Sequence, residues 1–333
     1  MTEKRATAAF HYRDLSPELI LDAIESLAIY PETGLTPLNS YENRVYQFRC
    51  DRGQRYVVKF YRPERWTDAQ ILEEHEFTFE LAEAEIPIAA PVVLDGRSLH
   101  HFKEWRFALF PSIGGRSFEV DNLDQIEGAG QFIGRLHQYS RGSLFKQRLN
   151  LTPTTLGTPA LEQLQRTELI PNALREHLLE AASSLFSELQ RRWQGIEYQS
   201  MRLHGDLHPG NILWTPNGPG FVDLDDACNG PAVQDLWMML SGDRQQQTLQ
   251  LEVLLEAYEA FSNFDTKELQ LIEPLRALRM LHYNAWLAKR WDDPAFPRHF
   301  PWFATEEYWQ QQLQAFKEQQ QRLDEAPLSL ILY

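Results

Sequence analysis

The segment His204-Gly205-Asp206-Leu207-His208-Pro209-Gly210-Asn211 sets a carboxylate and a neutral amide five residues apart in a loop punctuated by Pro209 and Gly210. It runs directly into the apolar Ile212-Leu213-Trp214, so one loop can aim both side chains at one point. Eleven residues after that run begins, Phe221-Val222-Asp223-Leu224-Asp225-Asp226 leaves a β-pattern and presents carboxylates, the hard oxygen donors that Mg²⁺ prefers. Phosphoryl transfer asks for a carboxylate near the acceptor hydroxyl, oxygen ligands for Mg²⁺ and a cation on the phosphates. A lone H-G-D has little specificity. H-G-D-x-H-x-x-N followed by an apolar strand and then V-D is a strong joint signal.

These residues need elements to hold them. Arg44–Arg49 and Arg55–Phe60 alternate as strands do, with Asp51-Arg52-Gly53-Gln54 as the turn, and Lys59 lies at the end of the second strand. A helix is expected from Pro17, capped by Ser16, and another from Thr67 to Leu81, with Pro87 barring extension. Pro91–Leu94 and Trp105–Phe110 read as further strands, before Pro111, Gly114 and Gly115 break the pattern. Beyond them the apolar periodicity is helical over 126–137, 174–193, 249–261 and 274–291, interrupted by short strands at 212–214 and 220–224. The expectation is an α+β, bilobal chain: an N-terminal lobe over 1–111, built from an antiparallel sheet and a helix, and a mainly helical lobe over 112–333.

At 333 residues the chain exceeds the size at which one core usually stops growing. Its 43% hydrophobic and 24% charged residues are ordinary for a folded globular protein. With 32 Lys and Arg against 47 Asp and Glu, the net charge of −15 argues against a nucleic-acid partner. Cys50 and Cys228, far apart and outside any C-x-x-C, suit a reducing compartment. The first thirty residues hold no apolar leader and no run is long enough to span a bilayer, so a cytoplasmic monomer without membrane contact is expected.

The catalytic-loop motif resembles that of the aminoglycoside phosphotransferase and choline kinase-like branch of the protein-kinase-like fold, and the likeness extends over nearly the whole chain. Residues 35–44, Val58-Lys59-Phe60-Tyr61-Arg62-Pro63 and Asn229–Trp237 look more closely like a bacterial stress response kinase family of cytoplasmic serine/threonine protein kinases. The resemblance implies ATP as co-substrate, Mg²⁺ as cofactor and protein Ser/Thr hydroxyls as acceptors. A small-molecule kinase for an amino alcohol, sugar or aminoglycoside is the alternative, because the same loop and metal ligands serve both. Carried over by motif, Asp206 orients and deprotonates the acceptor hydroxyl, Asn211 and Asp223 bind Mg²⁺, and Asp223 belongs with Asp206 to the catalytic set. Lys59 contacts the α- and β-phosphates, and helix phase selects Glu74 as its partner. His204 and Asp235 are read as supports of the loop; His208 could bond either the loop or the γ-phosphate. Asp225 fits a second Mg²⁺ or a solvated acidic turn.

Three departures from ordinary kinases stand out. Asn39-Ser40-Tyr41-Glu42-Asn43 replaces the glycine-rich phosphate loop, with Ser40 the candidate phosphate or ribose contact. Gly205 takes the place of the H-R-D arginine, and only eleven residues separate Asp223 from Asp235, so no activation-loop phosphorylation is expected. The hinge should run from Phe107 to Gly115, with the backbone around Phe110 and Ser112 pairing with adenine. The helix carrying Arg276, Arg279, His282, Tyr283 and Trp286 could line the acceptor pocket, although apolar core and surface charge explain it better, and no acceptor residue is assigned from it.

Overall fold

A computed structural model describes residues 12–330, so the reading of the first thirty residues falls partly outside it. Helix α1 (Pro17–Glu25) begins where expected, with the Ser16 hydroxyl accepting the Leu19 N–H. Strands β1 (Thr36–Pro37), β2 (Arg44–Arg49) and β3 (Arg55–Phe60) follow, and β2 and β3 pair antiparallel in the register set by the 51–54 turn. Thr67 and Gln70 form a reciprocal capping box at the start of α2 (Asp68–Glu83). β4 (His100–Phe102) and β5 (Trp105–Pro111) complete a five-stranded antiparallel sheet of order β1-β2-β3-β5-β4.

The expected strand over Pro91–Leu94 does not form. Pro91 has no N–H for a ladder, and the stretch holds on by the Val92 N–H to the Leu109 carbonyl and a Leu94–Arg97 bridge. The outer strand is β4 instead.

The rest of the chain comprises β6 (Arg116–Ser117), α3 (Leu123–Ser140), α4 (Thr158–Arg166), α5 (Asn172–Gln194), β7 (Met201–Leu203), β8 (Ile212–Thr215), β9 (Gly218–Phe221) and β10 (Cys228–Gly230). It continues through α6 (Gln234–Trp237), α7 (Arg244–Glu259), α8 (Ile272–Arg290), α9 (Ala295–His299) and α10 (Glu306–Arg322). The four periodic segments became α3, α5, α7 and α8, while α4, α6, α9 and α10 lie outside the expected helices. In α10 only Trp309, Phe316 and Gln319 are buried in a Gln-rich run, too sparse an apolar stripe to read from pattern. Gly130 and Gly134 let α3 close on α7: a Cβ at either would lie 2.4 Å from the Leu254 or Tyr258 carbonyl oxygen.

One apolar cluster, with Tyr12, Ile24, Phe48, Phe60 and Leu109, fills one face of the large sheet. A much larger one joins α3, α5, α7, α8 and α10, and it also takes in Phe77 and Leu81 of α2. Glu73 strengthens that attachment by accepting the backbone N–H groups of Lys146, Gln147 and Arg148. Helix α2 is therefore fastened to the helical half at several points as well as to its own sheet.

Candidate active site

Two short antiparallel ladders present the chemical groups. β10 pairs with β7, which leads into the 204–211 loop, while β8 and β9 flank the turn at 216–217. The Val222 N–H donates to the Asn211 carbonyl at 3.1 Å and the His204 ring donates Nε2–H to the Val222 carbonyl at 3.0 Å. These two bonds stitch the residue before Asp223 onto the Asp206 loop. Asp235 supports the loop from below: its carboxylate accepts the His204 N–H at 2.8 Å and the Gly205 N–H at 2.9 Å, with His137 on one oxygen. The supporting roles read for His204 and Asp235 are thus seen directly.

Gly205 is required here. Its φ is +87°, and a Cβ would lie 2.1 Å from the Asp226 carbonyl oxygen. The loop turns against the 224–226 segment so closely that no arginine could occupy the position.

Asp206 directs Oδ1 at Arg279 Nη1, 2.6 Å away, and Oδ2 lies 3.5 Å from His208 Nε2. Burial would raise the Asp206 pKa, but Arg279 and His208 outweigh it and hold the carboxylate below its usual range. His208 accepts the Gly210 N–H on Nδ1, so its ring bonds the loop and turns Nε2 toward Asp206. The sequence puts Arg279 on a helix that could line the acceptor pocket but does not tie it to Asp206, 73 residues away, because no local pattern joins them.

The Asn211 amide donates to the Asp206 carbonyl at 2.9 Å, which leaves its side-chain oxygen for a cation. Asp223 adopts a left-handed backbone at φ +62° and keeps 47% of its side chain exposed. A non-glycine residue held in that conformation is the kind of strain found at functional sites. Carboxylate and amide oxygens are hard donors and fit a divalent cation that takes its remaining ligands from phosphates and water. Among the described residues no group of three or more His, Cys, Asp or Glu side chains is set to hold a metal unaided.

Lys59, in β3, is buried and bonds Asp223 Oδ1 at 2.9 Å and Asp225 Oδ1 at 3.1 Å. The Lys59–Glu74 pair expected from helix phase is not formed. Glu74 is buried with Oε2 unpartnered, and burial pushes its pKa up to about 7 despite the nearby Lys59 and Arg148. Two aspartates outcompete it because both stand at hydrogen-bond distance from the one ammonium.

Asp225 is not a solvated turn either, since only 4% of its side chain is exposed. It accepts from Arg65 and from Asn43 Nδ2 as well as Lys59. Burial alone would raise its pKa; Lys59, Arg65 and Arg148 together keep it well below the carboxylate range. With Oδ2 bonded to Arg65 and Asn43 and Oδ1 facing the Lys59 ammonium, Asp225 fastens the sheet to the catalytic segment.

The 38–43 loop is held by side chains. Glu42 accepts from Trp286 and Arg290 of α8 and pairs with Arg62 at 3.0 Å. Tyr41 packs edge-on against Phe300. Arg62 and Arg44 both reach Asp293 beyond α8. Ser40 sits half-buried in this loop, its N–H bonded to the Leu38 carbonyl.

The hinge reading needs correction. The Ser112 N–H donates to the Arg55 carbonyl and its hydroxyl accepts from Gln47, while Phe110 pairs with Val57 inside the sheet. The Phe110 backbone and the Ser112 N–H are thus turned toward β3, so these groups do not offer the expected adenine contact. β5 ends at Pro111, and Ser112, Ile113, Gly114 and Gly115 follow as non-strand residues. Residues 227–237 are buried throughout and contain no Ser, Thr or Tyr, so the segment after Asp223 offers no hydroxyl for a phosphorylation switch.

These contacts bring together a carboxylate in a supported turn, two oxygen donors and a buried lysine, the groups that kinase-type phosphotransfer asks for. Residues 34–278 match the phosphotransferase enzyme family, and the chain belongs to that family as an ATP-dependent phosphotransferase with a bilobal kinase-like fold. Stress response kinase A of Escherichia coli K12 is 51% identical over 323 residues, 97% of this chain and 98% of that one. A Salmonella typhimurium relative, serine/threonine protein kinase RdoA, is 50% identical over 322 residues, with the same coverage. Among solved structures, amicoumacin kinase hAmiN in complex with AMP-PNP, Ca²⁺ and Ami aligns with a TM-score of 0.71 at 20% identity, covering 94% of each chain. Among the described residues no helix is long and apolar enough to cross a membrane.

Proposed function

We propose that this kinase transfers the γ-phosphate of Mg·ATP to serine or threonine hydroxyls of a protein, as a monomer in the cytoplasm. The observation that carries the chemistry is the convergence of Asp206, Asn211, Asp223 and Lys59 from two loops and a strand. The protein acceptor is supported by the half-identical relative named a serine/threonine protein kinase, alignable over nearly its full length.

In this reading Asp206 receives the acceptor hydroxyl, turns a lone pair toward the γ-phosphorus and takes the proton as the new O–P bond forms and the bond to the β-phosphate oxygen breaks. Asn211 and Asp223 would hold Mg²⁺, which when bound supplies charge neutralisation to the phosphates. Lys59 adds a fixed positive charge for the α- and β-phosphates, and Ser40, on the tethered 38–43 loop, contacts a phosphate or the ribose. Glu74, buried near Lys59 with Oε2 unpartnered, would be free to pair with it if Asp223 held Mg²⁺. Fitting adenine would require the backbone beyond Ser112, at residues 113–115, rather than Phe110 or Ser112.

The second reading is a small-molecule kinase, favoured by the fold likeness to amicoumacin kinase. Radiolabelled ATP offered with generic protein substrates and with a panel of amino alcohols, sugars and aminoglycosides separates the two. Label in protein supports the proposal; label only in a small metabolite overturns it.

A further inference from the structure

Arg279, Tyr283, Trp286 and Arg290 recur at helical spacing along one face of α8. At one end Arg290 and Trp286 grip Glu42 of the 38–43 loop; at the other, Arg279 reaches Asp206. Tyr283 and Trp286 stack between them with ring centres 5.8 Å apart. This face therefore spans the distance from the loop over the phosphates to the aspartate that receives the hydroxyl, which makes it a wall of the acceptor cleft.

The charges on that wall are unequally matched. Glu42 is neutralised by Arg62 and Arg290, and Asp226 by Arg65. Arg279 differs: 44% of its side chain is exposed, and Asp206 is its one ion-pair partner among the described residues. That contact uses a single N–H of a guanidinium that carries five, so the exposed side chain has donors left for a second partner beside Asp206. A cationic acceptor would meet a like charge there, whereas a carboxylate beside the acceptor hydroxyl would meet a planar fork suited to it.

We propose that Arg279 is an acceptor-specificity residue that selects serine or threonine hydroxyls flanked by a carboxylate, so that the acceptor class is an acidic peptide segment. The inference rests on the protein-acceptor reading given above. It is a short-range effect, since the net charge of −15 opposes an acidic peptide at long range.

The test uses the full chain with three serine peptides of equal length whose flanks are acidic (Asp and Glu), neutral (Asn and Gln) or basic (Lys and Arg). Each is assayed for kcat/KM with wild type, Arg279→Gln and Arg279→Lys, and nucleotide binding and thermal unfolding establish that each variant is folded. The wild type is expected to favour the acidic over the basic peptide at least tenfold. Arg279→Lys should keep most of that ratio and Arg279→Gln should bring it to within about threefold of unity. An unchanged ratio in Arg279→Gln overturns the proposal. So does equal loss of turnover on all three peptides in both variants, because Arg279 would then only support Asp206. Transfer to an amino alcohol with none to any peptide would instead overturn the protein-acceptor reading itself, a result that can be told apart from the other two.

Discussion

Removing the Glu42 carboxylate with Glu42→Ala should release the 38–43 loop without dismantling the sheet below it. Glu42 is the point at which this loop is gripped by α8, through Trp286 Nε1 and both Nε and Nη2 of Arg290. Its other cationic neighbours have alternatives: Arg62 keeps Asp293 and Arg65 keeps Asp225 and Asp226. The loss therefore falls on Arg290 and the Trp286 N–H. Breaking a fully buried pair costs about 3–5 kcal/mol, and a hydrogen bond to a charged group contributes about 1.5–3 kcal/mol. Because Arg290 keeps 15% of its side chain exposed and can turn to water, about 2 kcal/mol is the reasonable figure. If that energy holds the loop over the nucleotide, KM for ATP should rise by about 30-fold, with kcat changed much less. Steady-state kinetics over an ATP titration, beside a thermal melt, reads both effects. A double-mutant cycle with Arg290→Ala should return a coupling of about 1–2 kcal/mol. An unchanged KM for ATP with an unchanged melt would refute the reasoning, since the clamp would then hold nothing that matters.

Two further outcomes follow. Asp223→Ala removes an exposed oxygen donor and should raise the Mg²⁺ concentration needed for half-maximal activity at least tenfold, measured by titrating metal at fixed ATP. The pH dependence of stability should carry the mark of Glu268, whose pKa burial raises from 4.5 to about 7 against the Val233 N–H and Arg141. The folded state then binds more proton than the unfolded one between those values, so stability falls as pH rises through the window, by up to about 3 kcal/mol. Glu268→Gln should flatten that fall, and melts of the two proteins at pH 5 and pH 8 would show it.

Much of this molecule could be read from local sequence. The β2–β3 hairpin follows from alternation on either side of a polar turn, and α2 from a capping residue three positions before its glutamine. The His204–Asn211 loop was recognisable because its chemistry is packed into eight consecutive residues. What local pattern missed depends on partners far along the chain. Asp225 reads as one of several surface carboxylates until Lys59, Arg65 and Asn43 arrive from the sheet to bury it. Glu74 was chosen by helix phase, which gives a direction but not the competing carboxylates that draw Lys59 away. Phe110 and Ser112 read as hinge residues, although pairing with β3 takes up the Phe110 backbone and the Ser112 N–H. Arg279 stands in the sequence only as one charge on a helix that could line the acceptor pocket, because its meaning comes from a tertiary contact with Asp206.

The central claim is that Asp206 handles the acceptor hydroxyl while other residues hold the nucleotide. It is tested most directly by comparing γ-phosphate transfer and ATP-analogue affinity in the wild type and Asp206→Ala. The account predicts a loss of transfer of at least a hundredfold, with affinity for the analogue changed by less than about threefold, because the nucleotide's holders are Lys59, Asn211 and Asp223. Transfer that continues at the wild-type rate in the folded variant would contradict it.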